Sequence, residues 1–169
     1  MKPAIYLWTG NGWGKTTSAI GAAIRAAGHG YKTEIIQFMK GRKYRIGEYR
    51  ELKKIKKINI TQFGRTGWVN LRKPSKIDYV LAKEGFEYAK KADKKEPFLL
   101  ILDEINLAVK IGLLNEKEVL NFLSKAKSKH IYLTGRYATK ELIKKADFVN
   151  EIIMKKGPKK LIGKKGIDF

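Results

Sequence analysis

Gly10-Asn11-Gly12-Trp13-Gly14-Lys15-Thr16-Thr17 lies between a short apolar run, Ala4-Ile5-Tyr6-Leu7-Trp8, and an alanine-rich stretch from Thr16 to Arg25. A glycine-rich turn in that setting gathers backbone N–H groups on one point. Lys15 adds a charge there, and the Thr16 hydroxyl is available to a bound magnesium ion. Strand, loop and helix in this order restrict the chain to an α/β sheet with an anion site at a strand's carboxyl end, and they predict binding of a nucleoside triphosphate. The spacing departs from the usual pattern, which places a glycine five residues before the glycine of the Gly-Lys pair; Thr9 stands there instead. The loop is therefore either threonine-led or one residue short. The bland alternative, a turn that only joins strand to helix, leaves the lysine and the paired threonines unexplained.

Length and charge bound the rest. The 169 residues fit one domain, 1–169, with no internal repeat and no Pro/Gly/Ser linker. No apolar stretch approaches the roughly 20 residues that span a bilayer, and the chain enters a strand where a signal segment would stand, so a cytoplasmic protein is expected. With no cysteine, disulfides and thiolate metal sites are excluded. The 37 basic and 16 acidic side chains give a net charge of +21, a field that attracts polyanions, whether ATP, triphosphate or nucleic acid. Internal pairs such as Lys53-Lys54 and Lys90-Lys91 read as solvated faces. The tail from about residue 155, with Lys155, Lys156, Lys159, Lys160, Lys164 and Lys165 among glycines, reads either as another solvated segment or as a mobile one that closes over an anion.

Along the chain, strands are predicted at 33–38, 58–63, 98–102, 130–134 and 148–154, and helices at 77–91, after Asn115 and at 140–146, with 39–50 a basic surface loop. The alternation describes a doubly wound α/β fold with a mainly parallel sheet, of the P-loop, RecA-like class. Phe98-Leu99-Leu100-Ile101-Leu102 has the continuous apolarity of a central strand and delivers Asp103 and Glu104 to its carboxyl end, where a carboxylate can hold magnesium opposite Thr16. Arg136, just after a strand, is placed to reach phosphates or developing negative charge. His29 and His130 sit in no metal-binding or nucleophile–base spacing. Any nucleophile is then water, substrate or cofactor. Trp13, Phe63 and Trp68 read either as walls of a binding site or as packing, Trp68 being the better site candidate.

Taken together, Thr9-Gly10-Asn11-Gly12, Gly14-Lys15-Thr16-Thr17, Arg25-Ala26, Gly28-His29-Gly30, Gln37-Phe38, Lys40-Gly41, Leu102-Asp103-Glu104, Leu133-Thr134-Gly135-Arg136, Ala146-Asp147 and Gly166-Ile167-Asp168-Phe169 resemble the P-loop type of ATP:corrinoid adenosyltransferase over nearly the whole chain. The resemblance implies that a cob(I) corrinoid attacks the 5′ carbon of ATP and that triphosphate leaves. It implies nucleotide contacts from Gly10, Asn11, Gly12, Trp13, Gly14, Lys15, Thr16, Thr17, Arg25 and Arg136. Lys15, Thr16 and Glu104 would be catalytic, and Mg2+ would be served by Thr16 and Glu104 with Asp103 behind them. Trp68 would stand near the lower face of the corrinoid, with Phe63 a candidate companion. A flavoprotein or other reductase and a homodimer are further implications; nucleic acid and membrane partners are not expected. Trp13 departs from the polar or basic residue usual at its position, and the segment before Trp68 is shorter. The rival readings are an ATPase that remodels nucleic acid and a non-catalytic ATP sensor.

Overall fold

The computed structural model describes residues 2–41, 46–158 and 163–167. Twelve elements follow one another: β1 (Ala4–Thr9), α1 (Lys15–Gly28), β2 (Thr33–Phe38), α2 (Gly47–Leu52), β3 (Ile58–Phe63), α3 (Lys76–Asp93), β4 (Leu99–Asp103), α4 (Ile105–Lys110), α5 (Glu116–Lys125), β5 (His130–Thr134), α6 (Lys140–Lys145) and β6 (Phe148–Glu151). The strands form one sheet in the order β3-β2-β4-β5-β1-β6, and every pairing is parallel. β4 is buried at all five positions, as a strand covered on both faces must be. No described helix is long and apolar enough to cross a membrane.

Alternation along the strands splits the core in two. Ile35, Ile58, Ile60, Leu99 and Ile101 face Ala19, Ala23 and Ala26 of α1 and Leu52 of α2. Ile36, Phe38, Leu100, Leu102, Ile5, Leu7, Ile131 and Leu133 face α3, α4, α5 and α6. The alanines recur at three- and four-residue intervals, so α1 lays a stripe of small side chains on the sheet. The chain leaves β1 onto one face and β4 onto the other, and their carboxyl ends frame a crevice.

Two expectations are corrected, and one helix was not anticipated. Residues 39–50 are not all loop, because α2 begins at Gly47. A second short helix, α4, follows β4 directly; five of its six residues are buried, so apolar character runs on from the strand without a helical period. The last strand ends at Glu151, not 154, and residues 152–154 turn to pack on the phosphate loop. By contrast, Asn115 caps α5 as its spacing predicts, accepting from the Glu118 N–H at 3.2 Å. Ser75 and Asp78 form a capping box at α3, and Arg65 pairs with Asp78 at 2.9 Å. Those bonds outweigh burial and hold the Asp78 carboxyl below its ordinary range. Asp168, Phe169, Lys159 and Lys160 lie outside the described residues.

Candidate nucleotide site

The loop is threonine-led. Thr9 closes β1 with its hydroxyl accepting from the Ala138 N–H at 3.1 Å, and the left-handed turn falls on Gly10 at φ 94°. Gly14, at φ 101°, makes the second such turn into α1, so glycine is needed at both positions. The Lys15 ammonium folds back over the turn and donates to the carbonyls of Gly10, at 2.9 Å, and Gly12. Burial lowers the Lys15 pKa. Glu104 and Asp103 oppose that effect, and Arg136 adds to it, which places Arg136 within the field of the loop. The sequence-predicted Lys15, Thr16, Asp103, Glu104 and Arg136 are therefore brought together.

Asp103, fully buried, is the hub. Its Oδ1 accepts from Thr16 Oγ1 at 2.8 Å and Thr134 Oγ1 at 2.6 Å; its Oδ2 accepts from Gln37 Nε2 and Lys40 Nζ, each at 2.9 Å. Gln62 Nε2 in turn donates to Gln37 Oε1 at 2.8 Å. Burial alone would raise the Asp103 carboxyl, but Lys40 and the bonds from Thr134 and Thr16 hold it below its ordinary range. The Lys40 ammonium is pulled down by burial and further up by Asp103. With four protein donors on two oxygens, Asp103 is no free metal ligand; it orients Thr16 instead. The site assignment from sequence omitted Lys40, Gln37 and Thr134, although a lone polar residue in the apolar run Ile35-Ile36-Gln37-Phe38 was a usable signal.

Glu104 differs from its neighbour. It takes a left-handed backbone, φ 65°, at the exit of β4, a conformation uncommon for a residue with a side chain. Its N–H donates to Thr134 Oγ1 at 3.0 Å, while its carboxylate makes no hydrogen bond or ion pair among the described residues. Burial first, and then the Asp103 charge, push its pKa up, against the pull of Lys40, Lys15 and Arg136. A partly buried carboxylate without a partner, beside a threonine whose proton is already committed, fits a cation held between Glu104, Thr16 and substrate phosphates. The described residues contain no cluster of three or more acids or histidines that could hold a metal alone.

This arrangement predicts that Glu104→Gln raises the Tm of the ligand-free protein. The folded carboxyl has the higher pKa, so its ionised form costs stability as the pH climbs above the ordinary value of 4.5. The gain should be present at neutral pH and vanish in acid, where both side chains are neutral. Melting curves at the two pH values check this; an unchanged or lower Tm at neutral pH would contradict it.

Other assigned residues stand elsewhere. Arg25 is ten positions beyond Lys15 on α1, about 15 Å along the axis at 1.5 Å per residue, and lines a groove with Tyr6, His29 and Tyr132. That distance is more than its side chain spans, so the chain's own loop is beyond its reach. Phe63 is a core residue, 5 % exposed, tilted on Tyr88 with ring centroids 5.4 Å apart and packed where Gly85 leaves room. It is not an open companion to Trp68, which is 96 % exposed. Arg65 donates to the Trp68 carbonyl and joins that segment to α3 through Asp78. His130 lies among Phe98 and Tyr6 on the sheet face, and His29 ends α1.

A parallel sheet with a lysine-closed glycine loop after its first strand, faced by an acidic pair at the end of β4, defines a protein of the P-loop NTPase-like class. Comparison with known proteins narrows the class. The family model described as ATP:corrinoid adenosyltransferase BtuR/CobO/CobP matches residues 1–169, and the chain belongs to that family. It is 33% identical to a corrinoid adenosyltransferase of Sinorhizobium sp. over 177 residues, covering 99% of this chain and 81% of the relative. The Escherichia coli (strain K12) corrinoid adenosyltransferase is 34% identical over 151 residues, with 88% and 75% covered. CobA of Salmonella typhimurium is 32% identical over 152 residues, with the same coverage.

Proposed function

We infer that this protein transfers the 5′-deoxyadenosyl group of ATP to the cobalt of a reduced cob(I) corrinoid. The cobalt lone pair forms the Co–C bond, the C5′–O bond breaks with its electrons, and triphosphate leaves. The chain-long family match carries the reading. The side chains around the loop support it: they are cations, oriented hydroxyls and carboxylates, with neither histidine among them, a set suited to positioning and neutralising phosphates.

Lys15 and Arg136 neutralise the phosphate chain, Asp103 holds Thr16 in one rotamer, and Thr16 and Glu104 hold Mg2+. When bound, Mg2+ supplies charge neutralisation to the leaving triphosphate. Gly10, Asn11, Gly12, Gly14 and Thr17 contact the same phosphates. Trp68 offers the corrinoid an apolar surface at its lower face. A reductase, such as a flavoprotein, supplies the electron that makes cobalt(I). The chain works as one cytoplasmic domain in a homodimer. Support for pairing comes from the half-covered aromatic face of β1, β5 and β6, where Tyr6 meets Tyr132 and Phe148 at 4.7 Å.

The leaving group tests the reading. Attack at the ribose carbon must leave intact triphosphate, whereas a P-loop ATPase using Glu104 to orient water cleaves at the terminal phosphorus and leaves ADP and orthophosphate. Magnesium, ATP and reduced corrinoid are expected to give an adenosylcorrinoid and triphosphate in equal amounts. ADP and phosphate without the cobalt–carbon product would replace the assignment with an ATPase.

A further inference from the structure

Asn106, the second residue of α4, is wholly buried at the carboxyl end of the sheet, between the equally apolar-packed Ile105 and Leu107. Its Nδ2 donates to the Trp8 carbonyl at 3.0 Å and to the Gly135 carbonyl at 3.2 Å. Two carbonyl acceptors fix the orientation of the amide, since the flipped form would set oxygen against oxygen. Its Oδ1 has no hydrogen-bond partner among the described residues, and an acceptor buried in that state costs stability. What the nitrogen joins must then explain the amide.

Trp8 and Thr134 are the last paired positions of β1 and β5. Beyond them the strands part, β1 into the phosphate loop and β5 into the turn that carries Arg136, and the Asn106 amide bridges the gap as one further rung. The far side of the same turn is tied as well, the Ala138 N–H donating to Thr9 Oγ1. Arg136 therefore sits between two tethers to the root of the loop. The turn needs them, because Gly135 stands at φ 129° and Tyr137, which has a side chain, at φ 58°. A Cβ on Gly135 would fall 3.0 Å from the Leu107 nitrogen and 3.2 Å from Glu104 Oε2, so the turn also lies against the unpartnered carboxylate. The charge of Arg136 is felt at both Lys15 and Glu104.

We propose that Asn106 is a positioning residue of the site: by joining the exits of β1 and β5, its amide sets the distance between Arg136 and the phosphate loop. The proposal rests on the assignment of Arg136 to the phosphates, and its test separates the two. In corrinoid-free calorimetric titrations of the whole chain with magnesium and inorganic triphosphate, Asn106→Leu, which keeps the volume and removes both donors, should weaken binding about tenfold, the scale of one misplaced charge-assisted contact. In an Arg136→Ala background the same change should cost no more than about twofold, the usual tolerance of additivity, because the group it positions is already gone. The loss in Tm should be the same in both backgrounds. Asn106→Ser, with one hydroxyl for two carbonyls, should show the same coupling at smaller amplitude, and it carries the cycle where the leucine protein does not fold. Equal weakening in both backgrounds would make Asn106 a support of the fold alone, and no weakening in either would leave the amide without a role in the site; each overturns the proposal, as does the failure of both variants to fold. An Arg136→Ala protein that binds triphosphate as the wild type does would overturn the assignment of Arg136 together with the proposal, and a wild type that binds no triphosphate would overturn the nucleotide reading with both.

Discussion

Lys15→Ala is expected to lose about 10²–10³ in turnover, the cost of removing one preorganised charge from a leaving oxyanion, while circular dichroism stays unchanged. The position of the ammonium shows why one side chain carries so much. Its ammonium already lies across the turn on the Gly10 and Gly12 carbonyls, so an arriving phosphate chain meets a charge that needs no reorganisation. Burial lowers the pKa of that ammonium, and an incoming polyanion reverses the effect by favouring its charged form. The fold survives because Lys15 opens α1, where alanine is a strong helix former. Lys15→Arg should not rescue turnover, since a rigid planar fork does not reproduce a compact ammonium in a closed glycine turn. Near-normal turnover in the alanine variant would remove the loop from the mechanism.

Asp103→Ala should cost stability on a scale that few single changes reach. It strips a buried hub from four donors and leaves the Lys40 ammonium, 22 % exposed, without its partner at 2.9 Å. Removing one partner of such a pair costs ~3–5 kcal/mol, or about 6–20 °C in Tm for a chain of this size. Asp103→Ala/Lys40→Met should recover part of that loss, because no buried charge is then stranded. Additive losses in the double variant would show that the pair is not coupled.

The pH dependence has a definite sign. Asp103 titrates below its ordinary 3.8 in the folded chain, so its stabilisation is complete above that value and is lost as the pH falls through it. Lys40, raised above its ordinary 10.5, gives up its share only at still higher pH. The wild type should therefore hold a plateau between these limits. Asp103→Ala should lose the part of the acid limb that Asp103 supplies.

Much of the sheet was legible because local pattern and tertiary environment agree. Ala4 to Trp8, the apolar run into Asp103 and the small-residue stripe of α1 each carry the period of the element they form. Two short helices escaped because α2 lies in a basic stretch that opens on glycine and α4 continues the apolarity of β4 without a polar face. Arg25 and Phe63 were misplaced for another reason. A motif says which residue types recur in order, and neither the length of α1 nor the inward register of β3 is written in that order.

By itself, the sequence determined the parallel α/β class, the glycine-rich turn between β1 and α1 with Lys15 and Thr16 at its end, and the acidic pair at the end of β4, since each depends on residues adjacent in the chain. Only the tertiary structure decided the division of labour within that pair. Asp103 and Glu104 are neighbours in sequence, yet one faces four donors from two other strands, a helix and the turn after β2 while the other, turned aside by a left-handed backbone, keeps a carboxylate without a partner. The same holds for the seating of residues 152–154 on the loop: hydrogen bonds spanning some 140 residues of chain are set by where the sheet brings its strand ends, and no local pattern encodes them.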